Sequence, residues 1–444
     1  MSAACFIKKV SASAKQVAEG VLKLPFRKYY HSQVRRCALK PLCDAANNFI
    51  SNNVVSNKVI TYICHEIDIV MEKPFIFGVA TSGDNFTDRK SETARLLTNF
   101  QHGVNTVLIS PRRWGKTSLV QKVCGLAQSD KLKIVYLDIF SCRSDREFYD
   151  TFASAVLKQT SSKWDEWVEN AKLFLSRISP KISFGTDPMT DFSVSLELNP
   201  KSDDIDEILQ LPEKIAQQKG CRIVICIDEF QQIAEFDDSK TFQKRLRTVW
   251  QLQKSVSYCL FGSKKHLMNE LFEKKSLPFY KFGDAIYLQK IPTPDWVEYI
   301  CARFAATGKS ISPELAERVC VAVDNHSSYV QQLAWLIWVI TDKIATEKDF
   351  EEAYKDILDQ NTPLFEKQTE NLSTYQMNFL RAVIAGVRKE FSTHEVIQKY
   401  KLGSSANVVM VKRALVKKEL IETEKREVFI SDPLLKIWLQ RELQ

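Results

Sequence analysis

The chain has 444 residues, of which 45% are hydrophobic and 26% charged, with a formal net charge of +8. This length suffices for two or three domains with a large core, and the balance is that of a soluble globular protein. Every apolar run falls short of the roughly 20 residues a membrane-spanning helix needs. The eleven cysteines include no CxxC pair and no Cys/His cluster with zinc spacing. They argue neither a metal site nor a disulfide framework, and a cytoplasmic location without membrane attachment is expected.

The positive charge is uneven. Residues 1–70 hold ten Lys/Arg against four Asp/Glu, 71–366 hold 38 against 41, and 367–444 hold 14 against nine. A basic end segment attracts nucleic acid or another anionic surface, or simply presents solvated lysines on helix faces.

Residues 1–70 read as a basic N-terminal extension dispensable to the fold, either disordered or attached upstream by start-site choice. From Met71 the chain reads as a natural protein start. From 104 onward strands and helices alternate. "VNTVLIS" has strand length, and "GKTSLVQKVCGLA" has helical spacing. "KIVYLDIF" (133–140) is a second strand, followed by a long helical stretch over 145–178. Residues 181–198 alternate at period two around Gly185 and Pro188, the pattern of a β-hairpin insert. A helix over 204–219, the strand "CRIVICIDEF" (221–230), a helix over 241–254, the strand "SVSYCLFGS" (255–263), a helix over 265–273 and the strand "AIYLQKI" (285–291) complete the pattern. Continuously apolar strands alternating with helices predict an α/β fold with a parallel sheet covered on both faces. Cys226 and Cys259, inside such strands, and Cys301 read as small buried hydrophobes.

At Pro292 and Pro294 the strands stop. Four helices are expected over 295–306, 313–324, 328–344 and 349–359. A third unit holds helices at 373–387, from Thr393 and at 404–418, then a two-stranded wing and an amphipathic end. The predicted organisation is an α/β core over 71–291, a helical unit over 292–366 and a third unit with a two-stranded wing over 367–444.

The chemistry concentrates in "SPRRWGKTS", Ser110-Pro111-Arg112-Arg113-Trp114-Gly115-Lys116-Thr117-Ser118. It follows a buried strand and opens a helix, the setting in which converging backbone N–H groups and a helix N-terminus cradle phosphate. Lys116 is placed to reach β- and γ-phosphates, the Thr117 hydroxyl to ligate Mg²⁺, and Gly115 to let the backbone approach. Ser110 stands where a glycine is usual, at a position that mainly exits the strand. A bare Gly-Lys-Thr is common by chance, so a second motif matters. Asp228-Glu229 closes an apolar strand about 110 residues later, where an acid can hold Mg²⁺ and an adjacent glutamate can orient and deprotonate water. The bland alternative is two carboxylates capping a strand end. Ser263 ends the next strand; a serine there is usually a turn residue, but in this order of elements it suits contact with the γ-phosphate or the water. Asp138 ends an intervening strand and reads as structural. Arg245 and Arg247 are candidates for an arginine acting in trans.

The blocks "FIFGVATSGDNFTDRKSETARLL", "LISPRRWGKTSLV", "IVICIDEFQQI", "YCLFGSKKHLM" and "VFISDPLLKIWL" resemble the archaeal-type ATPases, grouped with the STAND and origin-recognition-like AAA+ P-loop NTPases. The resemblance spans 71–444 and implies ATP with Mg²⁺, a P-loop sheet core, a helical lid and a C-terminal winged helix. It also implies that Phe86 and Arg89 of "FTDR" lie near the adenine. Two departures stand out: Lys90 where the family often has Glu, and Asn325-His326-Ser327 where many members carry Gly-x-Pro. In the winged helix, Lys412, Arg413, Lys417 and Lys418 lie on the expected recognition helix, where they either meet DNA or complement the helix dipole. Three readings follow: an ATP-hydrolysing switch, an ATP-gated DNA-binding protein with negligible turnover, and a scaffold whose homo-oligomeric or client-bound assembly ATP controls.

Overall fold

The computed structural model describes residues 73–79, 86–161, 179–184, 192–197 and 202–443. The expectation for residues 1–70, the second half of the 145–178 helix and the turn of the hairpin lie outside the described residues.

Helix α1 (Lys90–His102) leads into β1 (Thr106–Ile109), and α2 (Lys116–Ala127) follows the loop after β1. Then come β2 (Leu132–Asp138), α3 (Asp145–Thr160), the antiparallel pair β3 (Ser179–Phe184) and β4 (Phe192–Glu197), and α4 (Ser202–Lys219). Strand β5 (Arg222–Asp228), a 3-10 turn (Phe230–Glu235), α5 (Ser239–Trp250), β6 (Val256–Gly262), α6 (Lys265–Glu273) and β7 (Asp284–Tyr287) complete the first layer set.

Strands β2, β5, β6, β1 and β7 pair in that spatial order, all parallel. Alternate residues of each strand serve opposite faces. On β5, Ile223, Ile225 and Ile227 join Val135 and Leu260 in one apolar layer, while Val224 and Cys226 join Leu108 and Phe261 in the other. Both faces are covered, which is why the strands read as unbroken apolar runs. Cys226 and Cys259 are buried as expected, and Cys301 is half-buried.

The rest is helical with one small ladder: α7 (Thr293–Ala306), α8 (Pro313–Ala322), α9 (Ser327–Ile340), α10 (Glu347–Glu370), α11 (Thr374–Ile384), α12 (His394–Tyr400), α13 (Ser405–Lys417), β8 (Ile421–Glu424), β9 (Glu427–Ile430) and α14 (Pro433–Glu442). The last six form a winged helix. Its core is continuous with that of α7–α10: Ile300, Val330 and Ile337 belong to the same apolar cluster as Phe379, Leu415 and Leu435.

Helix α10 is longer than its periodicity predicts. It runs through "DQNTPLFEKQTE" and over Pro363 to Glu370. A proline inside a helix removes one backbone bond. Beside it, Asn361 Nδ2 donates to the Ile357 carbonyl at 2.7 Å and Thr362 Oγ1 to that of Leu358 at 3.0 Å. Tertiary packing sustains the extension: Phe365 is fully buried against Trp438 of α14, with ring centroids 6.0 Å apart. Among the described residues no helix is long and apolar enough to cross a membrane.

Truncating this anchor tests the packing. Phe365→Ala should cost about 3–5 kcal/mol of unfolding free energy, read from urea denaturation. A loss below about 1 kcal/mol would mean that the end of α10 does not depend on the contact.

Candidate functional site

The loop from Ser110 to Gly115 leaves β1 and turns into α2. Gly115 is the N-cap of α2 with φ 82°, a left-handed backbone that L side chains rarely adopt. A Cβ there would meet nothing within 4 Å, so the need for glycine is conformational. Arg113 is also left-handed, at φ 62°. Ser110 is buried, its hydroxyl turned onto the Pro111 carbonyl at 3.1 Å. Lys116 is buried at 6% exposure yet forms no hydrogen bond or salt bridge among the described residues; the Asp228 charge is its electrostatic counterpart. A buried ammonium without a bonded partner is suited to an anion.

Sheet order does the remaining assembly. Strand β6 lies between β1 and β5, so its C-terminal end meets both the loop and Asp228-Glu229. Thr117 Oγ1 donates to Asp228 Oδ2 at 3.0 Å, and the Tyr136 hydroxyl donates to the same oxygen at 2.9 Å. The Glu229 amide donates to Asp228 Oδ1 at 2.8 Å. Burial raises the Asp228 carboxyl above its ordinary range, while Lys116 and these donors oppose the shift. Ser263 Oγ donates to Glu229 Oε2 at 2.9 Å, and Gln231 Nε2 donates to the same oxygen. Glu229 itself takes a left-handed φ of 53°. Asp138 accepts from the Phe140 amide at 2.8 Å, a local turn bond in keeping with its structural reading.

A cavity of about 340 Å³ opens beside Gly115, Lys116, Thr117 and Ser118. Phe86 and Arg89 line it, as do Phe77, Trp296, Ser327 and Gln331. Phe77, Trp296 and Gln331 carried no sequence signal for a role, whereas Ser327 belongs to the departure Asn325-His326-Ser327. Arg89, at 2% exposure, donates to the Gln289 carbonyl at 2.5 Å, the Trp114 carbonyl at 3.2 Å and Glu92 at 3.0 Å. It therefore clasps the segment before α1 to the loop and to the chain leaving β7. Tyr136 also escaped sequence reasoning, because an aromatic inside an apolar strand looks like core.

The segment Asn325-His326-Ser327 divides its duties. Asn325 occupies a left-handed φ of 54°, which asparagine tolerates where glycine would be usual, and donates to Thr293 at 3.0 Å. Ser327 lines the cavity beside the loop. His326 lines a neighbouring cavity of about 470 Å³, with Arg112, Arg113, Tyr329 and Asp432. Its Nδ1 is buried without a partner, and its ring lies 4.5 Å from that of Tyr329.

The loop arginines face this second cavity. Arg112 Nε donates to Ser263 Oγ at 3.3 Å and lies 3.9 Å from Glu419 of the winged helix. Lys265 pairs with Glu422 of β8 at 3.6 Å. Tyr329 donates to Asp432, the N-cap of α14, at 2.5 Å. Arg245 instead approaches Asp206 at 3.9 Å, and Arg247 lies over the Phe282 ring at 5.0 Å. Among the described residues no group of three or more His, Cys, Asp or Glu could hold a metal ion.

A parallel sheet with a phosphate-type loop after β1 and an acidic pair at the end of β5 defines a P-loop NTPase fold. Residues 86–279 match the family described as "ATPase domain predominantly from Archaea", and residues 363–441 match "Probable winged helix domain". The chain carries an ATPase domain of that family followed by a winged helix. Its fold is similar to that of a Walker-type ATPase of Pyrococcus abyssi, with 17% identity, a TM-score of 0.60 and coverage of 83% of this chain and 99% of that one. It is also similar to the ORC2 protein of Aeropyrum pernix, solved as ADPNP–ADP complexes, with 13% identity, a TM-score of 0.52 and coverage of 84% and 99%. No curated protein matches the chain.

His326 gives the junction a pH signature. Burial pushes its imidazole from 6.5 down to about 4; the Asp432 charge opposes this, and Arg113 and Lys290 reinforce it. The unfolded chain binds this proton near pH 6.5, whereas the folded chain refuses it until about pH 4. The associated stability is therefore fully present above pH 6.5 and lost as pH falls toward 4. Across that window the wild type should lose about 3 kcal/mol more than His326→Gln in denaturant titrations. Parallel profiles would refute the assignment.

Proposed function

We propose that this chain binds Mg²⁺–ATP at the loop between β1 and α2 and hydrolyses it, as a switch that couples nucleotide state to the lid and winged helix. Residues 71–291 act as the catalytic core, 292–366 as the lid and 367–444 as the effector unit. One observation carries the reading: the Thr117 hydroxyl and the Asp228 carboxylate meet at 3.0 Å beside a buried Lys116 that has no bonded partner among the described residues. A hydroxyl and a single carboxylate are too few ligands for a metal held by protein alone. They suit Mg²⁺, a hard cation that keeps waters and takes its remaining ligands from phosphate oxygens.

Each residue then has a role that its surroundings support. Lys116 and the backbone N–H groups of the loop from Ser110 to Ser118, Pro111 excepted, hold the phosphates, with Arg112, Arg113 and Trp114 forming the loop's outer wall. Phe86 and Arg89 border the adenine side. Thr117 and Asp228 hold the Mg²⁺, which when bound neutralises charge on the phosphates. Tyr136 orients Asp228. Glu229 has Oε2 engaged by two donors, so Oε1 remains to act. There it takes one proton from water as the water oxygen bonds the terminal phosphorus and the bond to the bridging oxygen of ADP breaks. Ser263 holds Glu229 in place for that transfer.

Two substitutions test this. Lys116→Ala should abolish phosphate release and weaken nucleotide binding. Glu229→Gln should bind Mg²⁺–ATP normally while turnover drops by roughly 100-fold or more. Malachite-green phosphate assays and calorimetry read the two effects. Unchanged turnover in Lys116→Ala would reject the ATPase reading.

A second reading has its own support. Lys412, Arg413, Lys417 and Lys418 of the winged helix and Arg426 of its wing line a cleft of about 1150 Å³, with Lys264 and His266 of the core on the opposite wall. Such a basic surface suits DNA phosphates, with ATP gating access and turnover secondary. Duplex binding, followed by anisotropy, should weaken steeply as salt rises through counterion release, and Lys412→Glu/Arg413→Glu should reduce it further. No binding at low salt, with or without ATP, would remove this reading.

A further inference from the structure

We infer that Arg112 is the arginine that stabilises charge on the terminal phosphate, and that Glu419 of the winged helix competes for it. The inference rests on the ATPase reading above and names a regulatory residue of that same site.

Arg112 stands beside the group that orients the catalytic carboxylate. Its Nε donates to Ser263 Oγ at 3.3 Å, and Ser263 Oγ donates onward to Glu229 Oε2 at 2.9 Å. A serine hydroxyl has one proton to give, so a donor on its oxygen directs that proton to Glu229. The guanidinium thus lies at the end of the site where Glu229 acts. Its two terminal nitrogens make no hydrogen bond among the described residues, although the side chain is only half exposed, at 55%. They leave four N–H groups for an anion in a planar fork, the geometry suited to phosphoryl oxygens. The other arginines considered are engaged elsewhere, Arg245 with Asp206 and Arg247 with Phe282. This makes the arginine a cis element of the loop and removes the need for one supplied in trans.

Glu419 is the competing anion. Its Oε2 lies 3.9 Å from the same Nε. It follows the C-cap of α13 in a left-handed φ of 57°, where glycine is the default. A partly exposed pair at this distance is weak. A terminal phosphate can therefore draw the guanidinium away, whereas ADP, lacking that phosphate, leaves it shared with the winged helix. The winged helix accordingly biases turnover through one carboxylate, and nucleotide state reports back to it by the same route.

The test uses the full chain. Arg112→Gln should lower turnover roughly 100-fold or more and raise KM for ATP. Arg112→Lys should fall between, because the planar fork is lost while the charge remains. Glu419→Gln should raise turnover several-fold, and should have no effect in the Arg112→Gln background. A readout independent of turnover is the affinity ratio of AMP-PNP to ADP in Mg²⁺, measured by calorimetry. That ratio should fall roughly tenfold in Arg112→Gln, the scale of a charged hydrogen bond, and rise in Glu419→Gln. Wild-type turnover and an unchanged ratio in Arg112→Gln would overturn the inference and leave the ATPase reading standing. Absence of wild-type turnover, with Lys116→Ala binding ATP as well as wild type, would instead defeat the ATPase reading.

Discussion

The site depends on keeping the Asp228 carboxylate buried and satisfied. Burial alone favours its neutral form, and an unpartnered carboxylate at the end of a buried strand would be costly. Thr117 and Tyr136 donate to one oxygen, the Glu229 amide to the other, and Lys116 supplies opposite charge nearby. These groups come from α2, β2 and β5, so the satisfaction of one side chain holds three elements in register. A mutation that spoils the carboxylate's surroundings would also loosen the loop that precedes α2.

Much of the fold was legible because its determinants are local. Strands buried on both faces read as unbroken apolar runs, and Ile223 to Ile227 with their intervening valine and cysteine show why. The order of loop, acidic pair and Ser263 could be read along the chain. Thr117 and Asp228 are 111 positions apart, however, and only the sheet order brings them together. What stayed hidden was non-local. Nothing in "DQNTPLFEKQTE" announces a helix, because the contact that sustains it is between Phe365 and Trp438, on a helix some seventy residues later. Trp296 and Gln331 carry no motif and border the cavity only because the lid folds back over the loop. Tyr136 looks like core, and only its hydroxyl's partner distinguishes it.

The odd filling of the loop, Arg112-Arg113-Trp114, has a structural explanation. Trp114 offers its carbonyl to Arg89, which secures the segment before α1. Arg112 and Arg113 line the junction with the winged helix, where Glu419, Tyr329 and Asp432 gather, and Arg113 also lines the cavity beside Gly115. The loop therefore borders both the cavity beside Gly115 and the winged helix. The departure at Asn325-His326-Ser327 belongs to the same junction: Asn325 accepts the backbone turn, and His326 is buried neutral against Tyr329.

The shared apolar core of α7–α10 and the winged helix has a mechanical consequence. Ile300, Ile337, Phe379 and Leu435 lie in one cluster, and Phe365 pins the long helix α10 to α14 across it. Separating the two units would expose that core, whereas their ties to the loop are a few polar contacts at the periphery. The helices α7–α10 and the winged helix therefore hold together as one packed unit, and a substitution in their shared core would unsettle both.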